Sequence, residues 1–121
     1  MMLVPVYVAP STIEGLGLFA AEPISEGDLI YRYESQFDKV FLRDRLHELP
    51  KQSRDFVRRY ATAHPRDPNK LVLDSDEARF MNHSKTPNTD FSVPLVGIAL
   101  QDIEAGTELT ANYKQFKRRS S

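Results

Sequence analysis

The sequence predicts a mainly β α+β domain with a helical segment in its middle, and three observations support that fold class. Short apolar or β-branched runs, bounded by glycine or proline, recur in the first and last thirds of the chain. The middle third instead carries apolar residues at helical spacing. A length of 121 residues suits one core, so we expect residues 1–121 to form a single domain.

The amino-acid composition excludes several kinds of site and argues against two kinds of binding partner. The chain has no cysteine, which excludes disulfides, cysteine-bound zinc and a thiol nucleophile. Its 16 basic and 17 acidic residues give a net charge of −1, which argues against bulk electrostatic binding to nucleic acid. No apolar run approaches about 18 residues, so no membrane span is expected. The start of the chain lacks the pattern of a secretory signal, so the cytoplasm is the expected location.

The histidines and the C-terminal cations each have an ordinary interpretation. His47, His64 and His83 are scattered and lack an H-x-x-x-H spacing, which favours surface or structural roles over a metal site. Residues 114–121 form a basic tail. A solvated chain end is the favoured interpretation of that tail, and an arm that touches an acidic partner is the alternative.

The first third of the chain predicts short strands separated by turns. Residues 3–8 alternate apolar and β-branched side chains around Pro5, which fits a strand at a sheet edge, where a missing N–H is tolerated. Gly15 and Gly17 predict a turn, after which residues 18–20 can continue extended. The stretch SEGD, at residues 25–28, predicts a second turn before a strand over residues 29–33.

The remainder predicts helices first and then strands. Apolar spacing over residues 38–63 predicts two short helices separated by Pro50, and residues 63–70 predict a loop. We therefore expect a helical insertion over about residues 38–70. Strands are expected over residues 71–74 and within residues 92–100, the latter as one strand or a pair. Residues 104–113 predict a glycine turn followed by a strand.

The stretch EGLGLFAA, at residues 14–21, loosely matches a G-x-G-x-x-A dinucleotide-binding loop. Such a loop needs a helix of about a dozen residues to follow it, because the helix N-terminus meets the pyrophosphate. Pro23 and Gly27 leave no room for that helix. Two interpretations of Gly15 and Gly17 stay open: a tight turn, or a ligand site lined by bare backbone.

Residues 74–91, DSDEARFMNHSKTPNTDF, interleave hydrogen-bonding side chains with apolar ones. This mixture indicates polar groups in a partly buried setting, where each needs a partner. A structural knot of capped turns explains the segment equally well. The later stretch ELTANY ends in Tyr113. Its phenol side chain either packs at the edge of the core or acts in catalysis.

These three segments, in this order and spacing, resemble the SET-domain family of protein lysine methyltransferases. GLGLFA is similar to the family's G-x-G-[VLI]-F-A turn, RFMNHSKTPN to R-F-[IML]-N-H-S-x-x-P-N, and GTELTANY to G-E-E-[LI]-T-x-x-Y. The resemblance covers nearly the whole chain. It implies a fold of small curled β-sheets with a C-terminal pseudoknot, which would bring Asn82 close to Tyr113.

The resemblance also implies methyl transfer from S-adenosyl-L-methionine to a lysine amine of a protein substrate, such as a histone or another basic protein. Nuclear location would follow if a histone is the substrate. Arg79 and Glu108 are expected to tie the knot, and Phe116 to wall the lysine channel or pack against adenine. The residues that the resemblance assigns to the methyl donor are Gly15, Leu16, Gly17, Leu18, Arg79, Asn82, His83, Tyr113 and Phe116.

The implied reaction is an in-line attack by an uncharged lysine amine on the sulfonium methyl. Lysine has a reference pKa of about 10.4, so desolvation and the neighbouring sulfonium must favour its deprotonation. No general base is evident. We expect Tyr113 to orient the amine. Tyr33 matches a position that lines the lysine channel, although packing in the core explains it nearly as well.

Two departures from the family pattern leave alternatives open. Many members carry cysteine-rich, zinc-binding flanks, which this chain lacks, so the C-terminal wall of the lysine channel must come from residues 114–121, from a partner or from a second copy in a homodimer. Lys114 also replaces a small or acidic residue beside the expected tyrosine. An interaction module with weak or no catalysis is therefore the alternative function.

Overall fold

The structure, a computed structural model, describes residues 1–116 and consists mainly of short β-strands. The strands are β1 (Val6–Pro10), β2 (Leu16–Ala20), β3 (Leu29–Arg32), β4 (Lys39–Leu42), β5 (Thr62–Ala63), β6 (Lys70–Leu73), β7 (Asn82–His83), β8 (Thr89–Asp90), β9 (Val96–Ala99) and β10 (Glu108–Ala111). The helices of the described range are α1 (Lys51–Tyr60) and three 3₁₀ helices, Arg43–Glu48, Glu77–Phe80 and Tyr113–Phe116. The mainly β class predicted from the sequence is confirmed.

The strands form three small sheets, ordered β1-β2-β10-β7, β3-β9-β8 and β4-β6-β5. Strand β10 lies inside the first sheet, antiparallel to β2 and parallel to β7. The late part of the chain is thus inserted between two strands that precede it in sequence. This insertion brings the glycine-containing strand, the asparagine–histidine strand and the strand before Tyr113 into one sheet.

Two apolar clusters hold the sheets in place. The larger packs residues of β2, β3, β9 and β10, and its members Leu18, Ile30 and Leu109 are fully buried. The smaller packs Val57 of α1 against Leu46 and Leu71. Removal of apolar area from water is the main force behind both clusters. The first cluster therefore fixes the sheet that carries the three motifs, and the second fixes the inserted segment.

Helix α1 begins immediately after Pro50, whose fixed φ and missing N–H suit the start of a helix. Arg58 and Arg59 lie in its last turn, where the negative end of the helix dipole favours cations. Only Val57 of this helix is buried. Within residues 1–116, no helix is both long enough and apolar enough to pass through a lipid bilayer.

The segment at residues 38–70 is only partly helical. The first of its two predicted helices is wrong over Lys39–Leu42, which form β4, and Arg43–Glu48 form a 3₁₀ helix. Strand β6 accounts for the difference, because pairing of Val40 with Val72 satisfies backbone groups that a helix would otherwise satisfy locally. The second predicted helix is confirmed by α1.

The first strand begins later than predicted. It starts at Val6 instead of residue 3, but it lies at a sheet edge, as expected. Pro5 precedes the strand, so no ladder hydrogen bond is lost to it. Met2 pairs with Tyr31 in an isolated bridge to another sheet. The start of the chain therefore connects the first sheet to the second.

Candidate active site

The three motif segments meet at strand β10. Leu109 of β10 pairs with Leu18 of β2, and Thr110 and Ala111 pair with Asn82 and His83 of β7. The amide of Ser84 donates to the carbonyl of Ala111 at 3.0 Å and extends this contact. The proximity of Asn82 to the segment that ends in Tyr113, implied by the resemblance, is present in the structure.

The side chain of Glu108 joins these segments by hydrogen bonds. Its two carboxylate oxygens accept from the hydroxyl of Ser11 at 2.8 and 2.9 Å, and Oε2 accepts from Nδ2 of Asn82 at 2.9 Å. The same Asn82 nitrogen lies 3.1 Å from the carbonyl oxygen of Glu14 and 3.2 Å from that of Leu16. Glu108 and Asn82 thus connect the turn before β2 to β7 and β10.

Gly17 makes room for this carboxylate. A Cβ atom at residue 17 would lie 2.8 Å from Cδ of Glu108 and 3.1 Å from Cβ of Ser11. Gly15 differs, because its φ is +46° and no heavy atom lies within 4 Å of the corresponding position. The two glycines of the motif therefore serve different purposes: Gly15 allows the turn, and Gly17 allows the close approach of Glu108.

The predicted donor-site residues of β2 differ in exposure. Leu16 is 48% exposed at the start of the strand. Leu18 is fully buried and pairs with Val8 on one side and Leu109 on the other. A ligand can therefore reach the turn at Gly15 and Leu16, whereas the side chain of Leu18 belongs to the core.

Tyr113 is buried next to β7, with 5% of its surface exposed. Its hydroxyl donates to the carbonyl of Met81 at 2.6 Å, and its backbone N–H donates to Nδ1 of His83 at 3.1 Å. Because Nδ1 accepts, a neutral His83 carries its proton on Nε2. The ring of Phe116 lies 5.5 Å from that of Tyr113. Two hydrogen bonds and one ring contact thus fix the position of Tyr113.

A cavity of about 150 Å³, which we call the aromatic cavity, is lined by Met81 and Phe116, both of which contact Tyr113, whereas Tyr113 itself is not in the lining. The cavity lining includes Tyr31, Asp74, Met81, Phe91, Gln115 and Phe116. Among the predicted site residues, Phe116 is in this lining. Tyr33 is not, and its backbone N–H donates to the carbonyl of Leu95 at 2.9 Å. The tyrosine that the structure places in the cavity wall is Tyr31.

The sequence does not pair Tyr31 with Asp74, although it places Asp74 at the start of the partly buried polar segment over residues 74–91. The Tyr31 hydroxyl donates to Oδ1 of Asp74 at 2.5 Å. Burial raises the pKa of Tyr31 far above its usual range, and the neighbouring Asp74 raises it further. Burial also raises the pKa of Asp74 to about 6, against the opposing effect of the hydrogen bond from Tyr31. No local pattern joins the two residues, because they lie in different predicted strands.

The C-terminal wall of the cavity comes from the chain itself. Gln115 accepts from the backbone N–H of Phe91 at 2.9 Å and donates to Asp90 at 2.8 Å, which fixes the 3₁₀ helix Tyr113–Phe116 against β8. Lys114 is exposed. Gln115 and Phe116 line this end of the aromatic cavity, and the source of the C-terminal wall of the lysine channel stays a prediction. The rest of the predicted basic tail, residues 117–121, lies outside the described residues.

Arg79 contacts groups other than Glu108, and its expected part in tying the knot stays a prediction. Its guanidinium donates to the carbonyl of Asp76 at 3.1 Å and lies 5.0 Å from the ring centre of Phe80 and 5.7 Å from that of Phe56. Stacking on aromatic faces suits a planar cation. Arg79 therefore joins the 3₁₀ helix Glu77–Phe80 to α1, and Ser11 and Asn82 are the partners of Glu108.

Comparisons with known proteins identify similar sequences and folds. A family model described as the SET domain matches residues 15–114. The chain is 35% identical, over 94% of its length, to "Histone-lysine N-methyltransferase, H3 lysine-4 specific" of Aspergillus oryzae. It is 30% identical, over 90% of its length, to "Histone-lysine N-methyltransferase trr" of Drosophila melanogaster.

A solved structure shares the fold. A humanized mutant of the Chaetomium thermophilum Polycomb Repressive Complex 2, bound to the inhibitor GSK126, aligns with 93% of the chain at 25% identity and a TM-score of 0.67. The relatives are much longer than this chain. It spans 10% of the Aspergillus protein, 5% of the Drosophila protein and 15% of the solved chain.

We expect Gly17→Ala to lower the free energy of unfolding by about 2 kcal/mol, because the new methyl group displaces Glu108 from Ser11 and Asn82. In a Glu108→Ala background the same change should cost less than about 1 kcal/mol. Urea denaturation of the double-mutant cycle measures this coupling. Gly15→Ala is the matched control, with a cost of about 1 kcal/mol from its positive φ and no coupling to Glu108. Equal costs of Gly17→Ala in both backgrounds would contradict the role assigned to Gly17.

Asp74 should make stability depend on pH. Its pKa is about 6 in the folded protein and about 4 when unfolded, so the folded state binds the proton more tightly. This contribution is complete below about pH 4 and is lost as the pH rises through about 6. Relative to Asp74→Asn, the wild type should lose about 3 kcal/mol of stability over that interval. Asp55→Asn is the control: Lys51 lowers the pKa of Asp55, so its effect has the opposite sign. A difference that does not vary with pH would disprove the assignment to Asp74.

Proposed function

Because this chain belongs to the SET-domain family, we propose that it transfers a methyl group from S-adenosyl-L-methionine to a lysine amine of a protein. The observation that carries the proposal is the meeting of the three motif segments at β10. Tyr113, which follows β10, contacts Met81 and Phe116 in the lining of the aromatic cavity. The names of the curated relatives support lysine as the acceptor. A histone or another basic protein is the substrate class we propose.

The proposed donor site combines an open turn with two neighbouring polar residues. The turn at Gly15 and Leu16 is exposed and has free space beside it, which fits a ligand held against bare backbone. Asn82 and His83 lie on the other side of β10 and complete the proposed site. The bound donor would supply an electrophilic methyl group on a sulfonium. We assign Leu18, Gly17 and Arg79 to the scaffold of the site, from the contacts described above.

Tyr113 is the residue to which we assign alignment of the amine. A phenol that donates its proton to a carbonyl, as Tyr113 does to Met81, can still accept a hydrogen bond from an amine N–H. Apolar walls at Met81, Phe91 and Phe116 favour the neutral form of a bound lysine, whereas the Asp74 carboxylate in the same lining favours the charged form. The exposed position of Lys114 reduces its repulsion of a cationic substrate, since solvent screens it.

The proposal is tested by methyl transfer. The protein is incubated with isotopically labelled S-adenosyl-L-methionine and a panel of histones, other lysine-rich proteins and cell extract, and donor binding is measured separately by calorimetry. We expect label on lysine side chains. Donor binding without transfer to any protein in the panel would instead favour the interaction module. Absence of donor binding would contradict the proposed cofactor.

Tyr113→Phe should lower kcat about 100-fold while the Kd for S-adenosyl-L-methionine stays unchanged, because the hydroxyl acts on the amine during transfer. Single-turnover kinetics and calorimetry measure the two effects. Tyr7→Phe is the matched control, since Tyr7 is exposed on β1 and stacks on Phe19. A kcat within twofold of the wild type would remove Tyr113 from its assigned role.

A further inference from the structure

The turn that leads into β9 contains a leucine where its backbone favours glycine. Among residues 1–116, Leu95 is the only non-glycine residue with a positive φ, at +65°. Pro94 and Leu95 are the central residues of this turn. The N–H of Val96 closes the turn by donating to the carbonyl of Val93 at 3.2 Å. A turn with a positive φ at its third residue usually has glycine or asparagine there, because the Cβ of other residues crowds the backbone. Leu95 therefore makes the turn less stable than glycine would.

Backbone contacts alone fix this conformation. The carbonyl of Leu95 accepts from the N–H of Tyr33 at 2.9 Å. Strand β9 begins at the next residue, where Val96 pairs with Arg32 of β3. These contacts use no side-chain atom of residue 95, so they would remain if that residue were glycine. The turn therefore explains its own backbone shape and does not explain the leucine.

Leu95 lines the aromatic cavity on its solvent-exposed side. We use the name cavity mouth for the lining that comes from the segment after α1 and from the loop between β8 and β9. Its residues are Thr62, Ala63, Pro65, Ser92, Pro94 and Leu95. All six are exposed or half-buried, whereas Tyr31, Ala78 and Met81 in the same lining are buried. None of the six carries a charge, so the cavity mouth offers an uncharged surface to a ligand.

Two independent observations thus coincide at residue 95. Its backbone conformation is unfavourable for leucine, and its position is in the cavity mouth. Unfavourable backbone conformations persist mainly at functional sites, where the side chain makes a contact that function requires. Apolar surface gains from contact with another apolar group, whereas a charged group would lose its hydration there. The chemistry of the cavity mouth therefore fits an apolar side chain of a ligand.

We propose that Leu95 determines substrate specificity by contacting an apolar side chain next to the target lysine of the protein substrate. This inference rests on the proposed function, because it specifies the substrate of that same site. The turn presents the leucine side chain at the cavity mouth, and glycine at this position would present no surface. The lower stability of the turn is the consequence of keeping that surface.

The first test measures peptide binding without the methyl donor. Two glycine- and serine-rich peptides each have one lysine, with valine on both sides of it in the first peptide and serine in the second. NMR titration of the whole chain should give a Kd about tenfold lower for the valine peptide than for the serine peptide. Leu95→Gly should reduce this preference to less than about twofold. A wild type without the preference, or Leu95→Gly with the full preference, would overturn the proposal.

Val93→Ala is the matched control. Val93 lies in the same turn, is 60% exposed and is not in the cavity lining. This variant should keep the preference for the valine peptide. If Val93→Ala lost the preference as Leu95→Gly does, the effect would belong to the loop as a whole, and the role of Leu95 would be disproved.

Urea denaturation tests whether the leucine is retained for stability instead. Leu95→Ala and Leu95→Gly both remove the apolar side chain, but only glycine relieves the positive φ. Leu95→Gly should therefore unfold at a urea concentration about 0.5 M higher than Leu95→Ala. An equal or lower midpoint would show that the turn is not strained. A midpoint of Leu95→Gly more than about 1 M below the wild type would show that packing retains the leucine. Either result would overturn the proposal.

Failure of the proposed function gives a different pattern from failure of this inference. The titrations involve no turnover, so a chain that transfers no methyl group can still prefer the valine peptide. Methyl transfer without that preference would overturn only the role of Leu95. Where transfer occurs, Leu95→Gly should raise KM for the valine peptide about tenfold and leave kcat unchanged. A lower kcat at unchanged KM would contradict contact between Leu95 and the flanking side chain.

Discussion

The structure depends on one half-buried carboxylate, that of Glu108. Its contacts join Ser11, which precedes β2, to Asn82 in β7, while Glu108 itself begins β10. A charged group removed from water must have its hydrogen bonds satisfied, so these segments have to come together for the carboxylate to be stable. The missing Cβ of Gly17 is the steric condition for that arrangement. This contact, together with the burial of Leu109 in the larger apolar cluster, sets the position of β10 and so of Tyr113.

A series of aromatic contacts extends from this centre. Tyr113 touches Phe116, Phe116 touches Phe91, and Phe91 touches Tyr31, with ring separations between 5.3 and 5.5 Å. These rings come from the second sheet, the loop after β8 and the C-terminal 3₁₀ helix, so they can meet only after the sheets have assembled. Offset and tilted ring pairs add to the stability that area burial provides. The cavity is consequently a product of the tertiary fold, not of one element.

The sequence predicted what local patterns determine and missed what distant pairing determines. Strands such as β2 and β10 could be predicted because the glycine and proline residues that bound them are close in sequence. At Val40 and Phe41 the sequence predicts a helix and the structure has a strand. Two adjacent apolar residues fit both periods, and the partner strand β6 lies about 30 residues away. Tyr31 and Asp74 are 43 residues apart, and no spacing rule joins them. Gly17 was predicted for its bare backbone, yet its neighbour is a side chain of this same chain.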